Sequence, residues 1–162
     1  MIRVDQAGEY GAVRIYEGQL AMLPRGRAER AVRAMAAKET EHLESFNRLM
    51  VERRVRPTAL EPLWRIAGFA LGAGTTLLGE RAALACTVAV EEVIGEHYRK
   101  QTERLGSDEA KLRAMIEDYR TDELAHRDEA LAQGAEAAPA YALVTGAIKA
   151  GTRLAIWLST RL

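Results

Sequence analysis

Apolar residues recur along this chain at steps of three and four, the period of an amphipathic α-helix. Over about 27–54 the face runs Ala31, Met35, Lys38/Glu39, His42, Phe46, Leu49 and Met50. Over about 108–133 it runs Leu112, Met115, Ile116, Tyr119, Glu123 and His126. In a helix over about 5–23, Ala12, Ile15, Gln19 and Met22 share the stripe of Glu9. A helix over about 80–105 opens with the apolar run Ala82 to Val90 and then delivers Glu91. Acids and imidazoles therefore fall on faces that are otherwise apolar, where an unpaired charge is costly. Asp5 and Ser107 are expected as N-caps, and Pro24 to Gly26, Gly106 and Gly134 as stops.

Two further segments behave differently. Between Ile66 and Gly79 no residue is charged, so a helix over 62–79 is apolar nearly all round, and it is too short to span a bilayer. It is expected to be buried in the fold, to form an interface between copies, or to dip into a membrane. The segment 139–161 is apolar but interrupted by Lys149, Arg153 and Arg161, an amphipathic pattern suited to an interface. The two tryptophans, Trp64 and Trp157, sit in these two segments, and amphipathic aromatics favour membrane interfaces.

The chemistry lies in a repeat. Glu39-x-x-His42 and Glu123-x-x-His126 each place a carboxylate and an imidazole one helical turn apart. Glu-x6-Tyr-x2-Gln also occurs twice, as Glu9, Tyr16, Gln19 and as Glu91, Tyr98, Gln101, each copy followed roughly 30 residues on by Glu-x-x-His. One Glu from each of two helices plus Glu-x-x-His from two others is the ligand set of the di-iron carboxylate bundles. The predicted fold is all-α: a single ferritin-like four-helix domain over 1–162 with two additional apolar helices. The predicted metal ligands are Glu9, Glu39, His42, Glu91, Glu123 and His126, holding two ions such as iron or manganese. A closed structural zinc site is not expected, because no cysteine joins the set.

Neighbouring residues leave alternatives open. Tyr16 and Tyr98 are either core or donors to ligand carboxylates. His97, Asp118 and Asp122 are either solvated or partners of the ligand histidines, and Glu92 is a neighbour of the site or solvated. Gly8 and Gly11 permit either close helix approach or room for a substrate beside the metal.

Composition narrows the field. Acidic and basic side chains balance at 23 each, which argues against nucleic-acid binding. Cys86 is the only cysteine, a buried thiol in a reducing compartment on this reading. Charge within Met1–Asp5 argues against a cleavable signal.

The strings Val4-Asp5-Gln6-Ala7-Gly8-Glu9-Tyr10-Gly11-Ala12, Gly68-Phe69-Ala70-Leu71-Gly72-Ala73-Gly74 and Ala85-Cys86-Thr87-Val88-Ala89-Val90-Glu91-Glu92, with the two Glu-x-x-His motifs, resemble the demethoxyubiquinone hydroxylases of ubiquinone biosynthesis. The resemblance runs from about Ile2 to Leu162. It implies a di-iron monooxygenase, peripheral to the cytoplasmic face of a bacterial inner membrane. The implied enzyme uses O2 to hydroxylate the ring of a polyprenyl benzoquinol, with Glu39 and Glu123 bridging the irons and NADH as electron source. The implied partners are the substrate, a membrane surface, and a second copy or a lipid-handling protein. Mitochondrial relatives carry a transit peptide, whereas this chain opens near its first motif, as bacterial relatives do. The alternative is bacterioferritin-like iron oxidation and storage.

Overall fold

The computed structural model describes residues 1–162 and contains six α-helices, two short 3-10 turns and no strand. The helices are α1 (Ile2–Met22), α2 (Arg27–Glu52), α3 (Glu61–Leu77), α4 (Glu80–Thr102), α5 (Ala110–Ala132) and α6 (Tyr141–Ser159). α1, α2, α4 and α5 form the ferritin-like bundle, with α1 packed on α2 and α4 on α5. α3 lies on α1 and touches α4, while α6 lies on α4 and touches α1. Each half of the chain is thus a three-helix unit, one helix more than the motif repeat alone implied.

Local details correct several expectations. α1 begins at Ile2, and Asp5 is buried inside it rather than capping it. The Asp5 carboxylate accepts bonds from Gln101 at 2.6 Å and His97 at 3.0 Å, so partners on α4 claim it in place of the helix end. Ser107 opens a 3-10 turn and makes no side-chain cap, because α5 starts only at Ala110. Met22 faces solvent instead of the core. The backbone turns extended at Leu23, which takes the inward place against Tyr16, Ala28 and Val32. The loop between α3 and α4 is sharp because Gly79 adopts φ 118, open to glycine at little cost.

The core is two apolar clusters with a polar layer between them. One gathers Phe46, Ile94, Tyr98, Leu112 and Ile116, and the other Tyr16, Val32, Met35, Leu84, Val88 and Ala130. Along α2 and α5 the chain passes from one cluster to the other through Glu39 and His42, and through Glu123 and His126, while on α4 residues of both clusters precede Glu91.

α3 reaches α1 closely through glycine. A Cβ added at Gly72 would collide with the Ile15 carbonyl, and one at Gly68 would lie 2.9 Å from Arg14 Cβ. The buried face of α3 is Gly68, Gly72, Thr75 and Thr76, whereas its large side chains Leu63, Ile66, Phe69 and Leu77 face out. α3 is therefore not a helix buried within the fold. On α6 Leu143, Leu154 and Trp157 are likewise exposed. No helix is long and apolar enough to cross a membrane.

Candidate metal centre

The polar layer brings the six predicted ligands together from four helices. Ligand atoms of Glu9, Glu39, His42 and Glu123 lie within 4.8 Å of one another, as do those of Glu39, Glu91, Glu123 and His126. The two groups share Glu39 and Glu123. Glu9, Glu39 and Glu123 are completely buried, and Glu91 and His42 nearly so.

Both imidazoles aim Nδ1 inward. His42 Nδ1 sits 3.4 Å from Glu123, 3.7 Å from Glu9 and 3.9 Å from Glu39. His126 Nδ1 sits 3.0 Å from Glu39 Oε1. None of these approaches has hydrogen-bond geometry. One oxygen of Glu9, one of Glu91, both of Glu39, both of Glu123 and the two Nδ1 atoms are buried without a hydrogen-bond partner. Orphaned buried polar groups are costly and call for an explanation. Four carboxylates and two imidazoles converging on two shared foci fit a pair of divalent cations of the iron or manganese type.

The electrostatics agree. Burial, and then the neighbouring Glu9 and Glu91, hold Glu39 well above the ordinary carboxylate range. Burial, and then Glu39 and Glu91, do the same to Glu123. Like charges packed this tightly favour protonation unless a cation offsets them. Burial pulls His126 down. In His42 burial acts downward too, but Glu9 and Asp122 outweigh it and the imidazole is raised.

Surrounding residues resolve the open alternatives. Tyr16 donates to Glu91 and Tyr98 to Glu9, each across the α1–α4 pair. Both phenols are buried and raised well above their usual range, first by burial and then by these same carboxylates, so they remain donors. Asp122 meets His42 Nε2 at 3.1 Å, while Asp118 is exposed and makes no such contact. His97 pairs with Asp5, outside the cluster. Glu92 pairs with Lys149 of α6. Cys86 is buried, and that burial pushes its thiol up to about 12, which leaves it inert as a nucleophile. Sequence reasoning gave Tyr119 no role beyond the inner face; its ring stacks on His42 with centroids 3.9 Å apart. Its place on the same side of the periodic face as His126 was the available signal.

An apolar cavity of about 250 Å³ is lined by Gly8, Gly11 and Ala12 of α1 and by Val90 and Ile94 of α4, and none of the six candidate ligands lines it. Gly8 and Val90 directly precede Glu9 and Glu91 in sequence. α3 and α6 wall the cavity, and Trp64 Nε1 donates to Ser159 Oγ at 3.1 Å between the walls.

The family profile of ubiquinone biosynthesis protein COQ7 matches residues 1–159. The chain is 59% identical over 161 residues to the 3-demethoxyubiquinol 3-hydroxylase of Rhodospirillum rubrum, covering 99% of this chain and 76% of that protein. It is 52% identical over 166 residues to the mitochondrial NADPH-dependent 3-demethoxyubiquinone 3-hydroxylase of Homo sapiens, covering 100% of this chain and 76% of that one. To the mitochondrial 5-demethoxyubiquinone hydroxylase of Saccharomyces cerevisiae it is 41% identical over 179 residues, covering 100% and 77%. With a full-length profile match and identities of this size, the chain belongs to the COQ7 family of ubiquinone biosynthesis proteins.

Proposed function

We propose that this protein hydroxylates the ring of a demethoxy polyprenyl benzoquinol, using O2 and a pair of iron ions held by Glu9, Glu39, His42, Glu91, Glu123 and His126. The observation that carries the reading is the set of buried, partnerless ligand atoms converging in two groups that share Glu39 and Glu123. On this reading Glu39 and Glu123, common to both groups, would be shared by the two ions, Glu9 and His42 would help hold one, and Glu91 and His126 the other. The relatives' names supply the ring chemistry.

Bound iron supplies the redox chemistry that lets O2 react with a ring carbon, one oxygen atom entering the ring and the other leaving as water. The rest belongs to the chain. Tyr16 and Tyr98 fix the rotamers of Glu91 and Glu9 through their phenol hydrogens, so that each carboxylate keeps a second oxygen free. Asp122 holds the His42 ring with Nδ1 turned inward. The two apolar clusters exclude water from the layer between them. Every polar side chain lining the apolar cavity is already engaged: Thr152 donates to the Ile148 carbonyl and Ser159 accepts from Trp64. Such a cavity suits a hydrocarbon chain, and the isoprenoid tail lies there, between α3 and α6.

The exposed apolar side chains of those two helices support a peripheral seat on a lipid surface, the cytoplasmic face of a bacterial inner membrane, where such a substrate resides. A reduced nicotinamide nucleotide is the electron source. The name of the human relative specifies NADPH, where the sequence resemblance suggested NADH.

The test is single-turnover labelling. Protein loaded anaerobically with two Fe(II) per chain receives short-tailed demethoxyubiquinol and ¹⁸O2, and mass spectrometry reads the ring product. One labelled oxygen, lost in Glu91→Ala, is the expected result. Iron oxidised and retained as mineral without ring product would instead indicate storage.

A further inference from the structure

The glycines of the α1–α3 contact and of the apolar cavity fall into two kinds. At Gly18, Gly68 and Gly72 a Cβ would press into the facing backbone or Cβ of the α1–α3 contact, so close helix packing accounts for them. At Gly8, Gly11 and, on α6, Gly151 a Cβ would meet no atom within 4 Å, yet all three line the cavity in mid-helix; Gly8 and Gly11 share one helix. Glycine in a helix interior destabilises relative to alanine, and no neighbour here requires it. Gly8 and Gly11 stand one helical turn apart, so their missing side chains leave one continuous strip of bare backbone along the cavity. Glu9, a ligand of the proposed centre, stands on the same helix but does not line the cavity.

Resting on the hydroxylase reading above, we propose that Gly8 and Gly11 set the bore of the tail channel for a methyl-branched isoprenoid chain. An isoprenoid carries one methyl branch for every four chain carbons, a repeat close to one helical turn, about 5.4 Å. Bare backbone at Gly8 and Gly11 gives successive branches room on the α1 side of the cavity. A straight alkyl chain needs no such room. The two positions thus trade helix stability for substrate selectivity.

The test uses the cavity's own fluorophore. Trp64 lines the cavity, whereas Trp157 is half-exposed beneath Arg161. In an iron-loaded Trp157→Phe background Trp64 is the single reporter, and quinones quench it on binding. Farnesyl- and decyl-benzoquinone with the same ring are titrated against Gly8→Ala, Gly11→Ala and Gly11→Leu. Gly74→Ala is the control, since that position is also open but lies outside the cavity.

All three alanine variants should melt higher than the parent. Gly8→Ala and Gly11→Ala should weaken farnesyl binding by about tenfold, the scale of one methyl in an apolar pocket, with decyl binding changed by less than about twofold. Gly11→Leu should lose both ligands, and Gly74→Ala neither. Parental affinity in Gly11→Leu would overturn the proposal, as would equal weakening of both probes by the alanines or no quenching in the parent. Binding needs no turnover, so selective quenching without ring hydroxylation would sink the hydroxylase reading and leave the gauge standing. Hydroxylation indifferent to these variants would do the reverse.

Discussion

His42 Nε2 lies 3.1 Å from Asp122 Oδ2, across the α2–α5 pair. The residue in the same place of the other repeat, just before Glu39, is Lys38, which itself pairs with Asp122 at 3.6 Å. His126 therefore receives no matching carboxylate, and the six candidate ligands are arranged symmetrically while their support is not. A carboxylate on the outer nitrogen of a ligating histidine fixes its orientation and raises its basicity. Asp122→Ala should weaken one of two metal sites by about 10–100-fold and spare the other. Stepwise titration of the metal-free protein with Co(II), followed optically, will resolve the two. Asp122→Asn, which keeps an acceptor oxygen, should recover part of the loss, and two sites weakened equally would refute the asymmetry.

The reciprocal bonds Tyr16 to Glu91 and Tyr98 to Glu9 predict a matched pair of effects. Tyr→Phe at either position leaves a buried carboxylate short of a donor while keeping the ring's packing. Each should destabilise the metal-free protein by about 1–3 kcal/mol, the cost of one unsatisfied buried group. Urea unfolding of the two variants should give similar values, since the bonds occupy equivalent places. A near-zero value for one would show that its carboxylate finds another partner.

The raised carboxylates set the pH dependence of the metal-free fold. Glu39 and Glu123 are held well above their ordinary range, chiefly by burial and then by their acidic neighbours. Folding therefore favours their protonated forms. Their contribution is complete below the ordinary carboxylate range and is lost as pH rises toward the raised values. His42, also raised, acts in the same sense, while His126, lowered by burial, opposes it. Calorimetry of metal-free protein should show a melting temperature that falls as pH rises above the ordinary carboxylate range. Metal displaces the same protons, so the rise in melting temperature on loading should grow with the same increase in pH. A pH-independent increment would mean the metal binds elsewhere.

The four helices and the convergence of the six candidate ligands were readable because two local signals reinforced each other: i,i+3 spacing and a repeat. A ligand must stand on an inward face, and helical period reports faces directly. The partners of those ligands were harder to read, since Tyr16 reaches Glu91 and Asp122 reaches His42 only through tertiary contact. The same limit explains Asp5, whose placement near a helix start suggested a cap while His97 and Gln101 of α4 made it a buried acceptor. For α3, hydropathy gave no direction. Glycine let its backbone, rather than its large side chains, pack on α1.

That inversion yields the last prediction. Ile66 and Phe69 on α3, and Leu154 and Trp157 on α6, are between 43% and 70% exposed, and the two helices frame the cavity from either side. A large apolar side chain moved out of water gains about 1.5–3 kcal/mol when fully buried, so four such groups suffice for reversible binding to lipid. Ile66→Gln with Phe69→Gln, and separately Leu154→Gln with Trp157→Gln, should each reduce co-sedimentation with anionic phospholipid vesicles by about tenfold or more. Melting temperature should be nearly unchanged, since these side chains make little of the core. The combined variant should lose more than either pair, because the helices touch the surface independently. If vesicle binding persists while a wild-type dimer becomes monomeric, the face joins two copies of the chain, and the membrane reading of α3 and α6 must be abandoned.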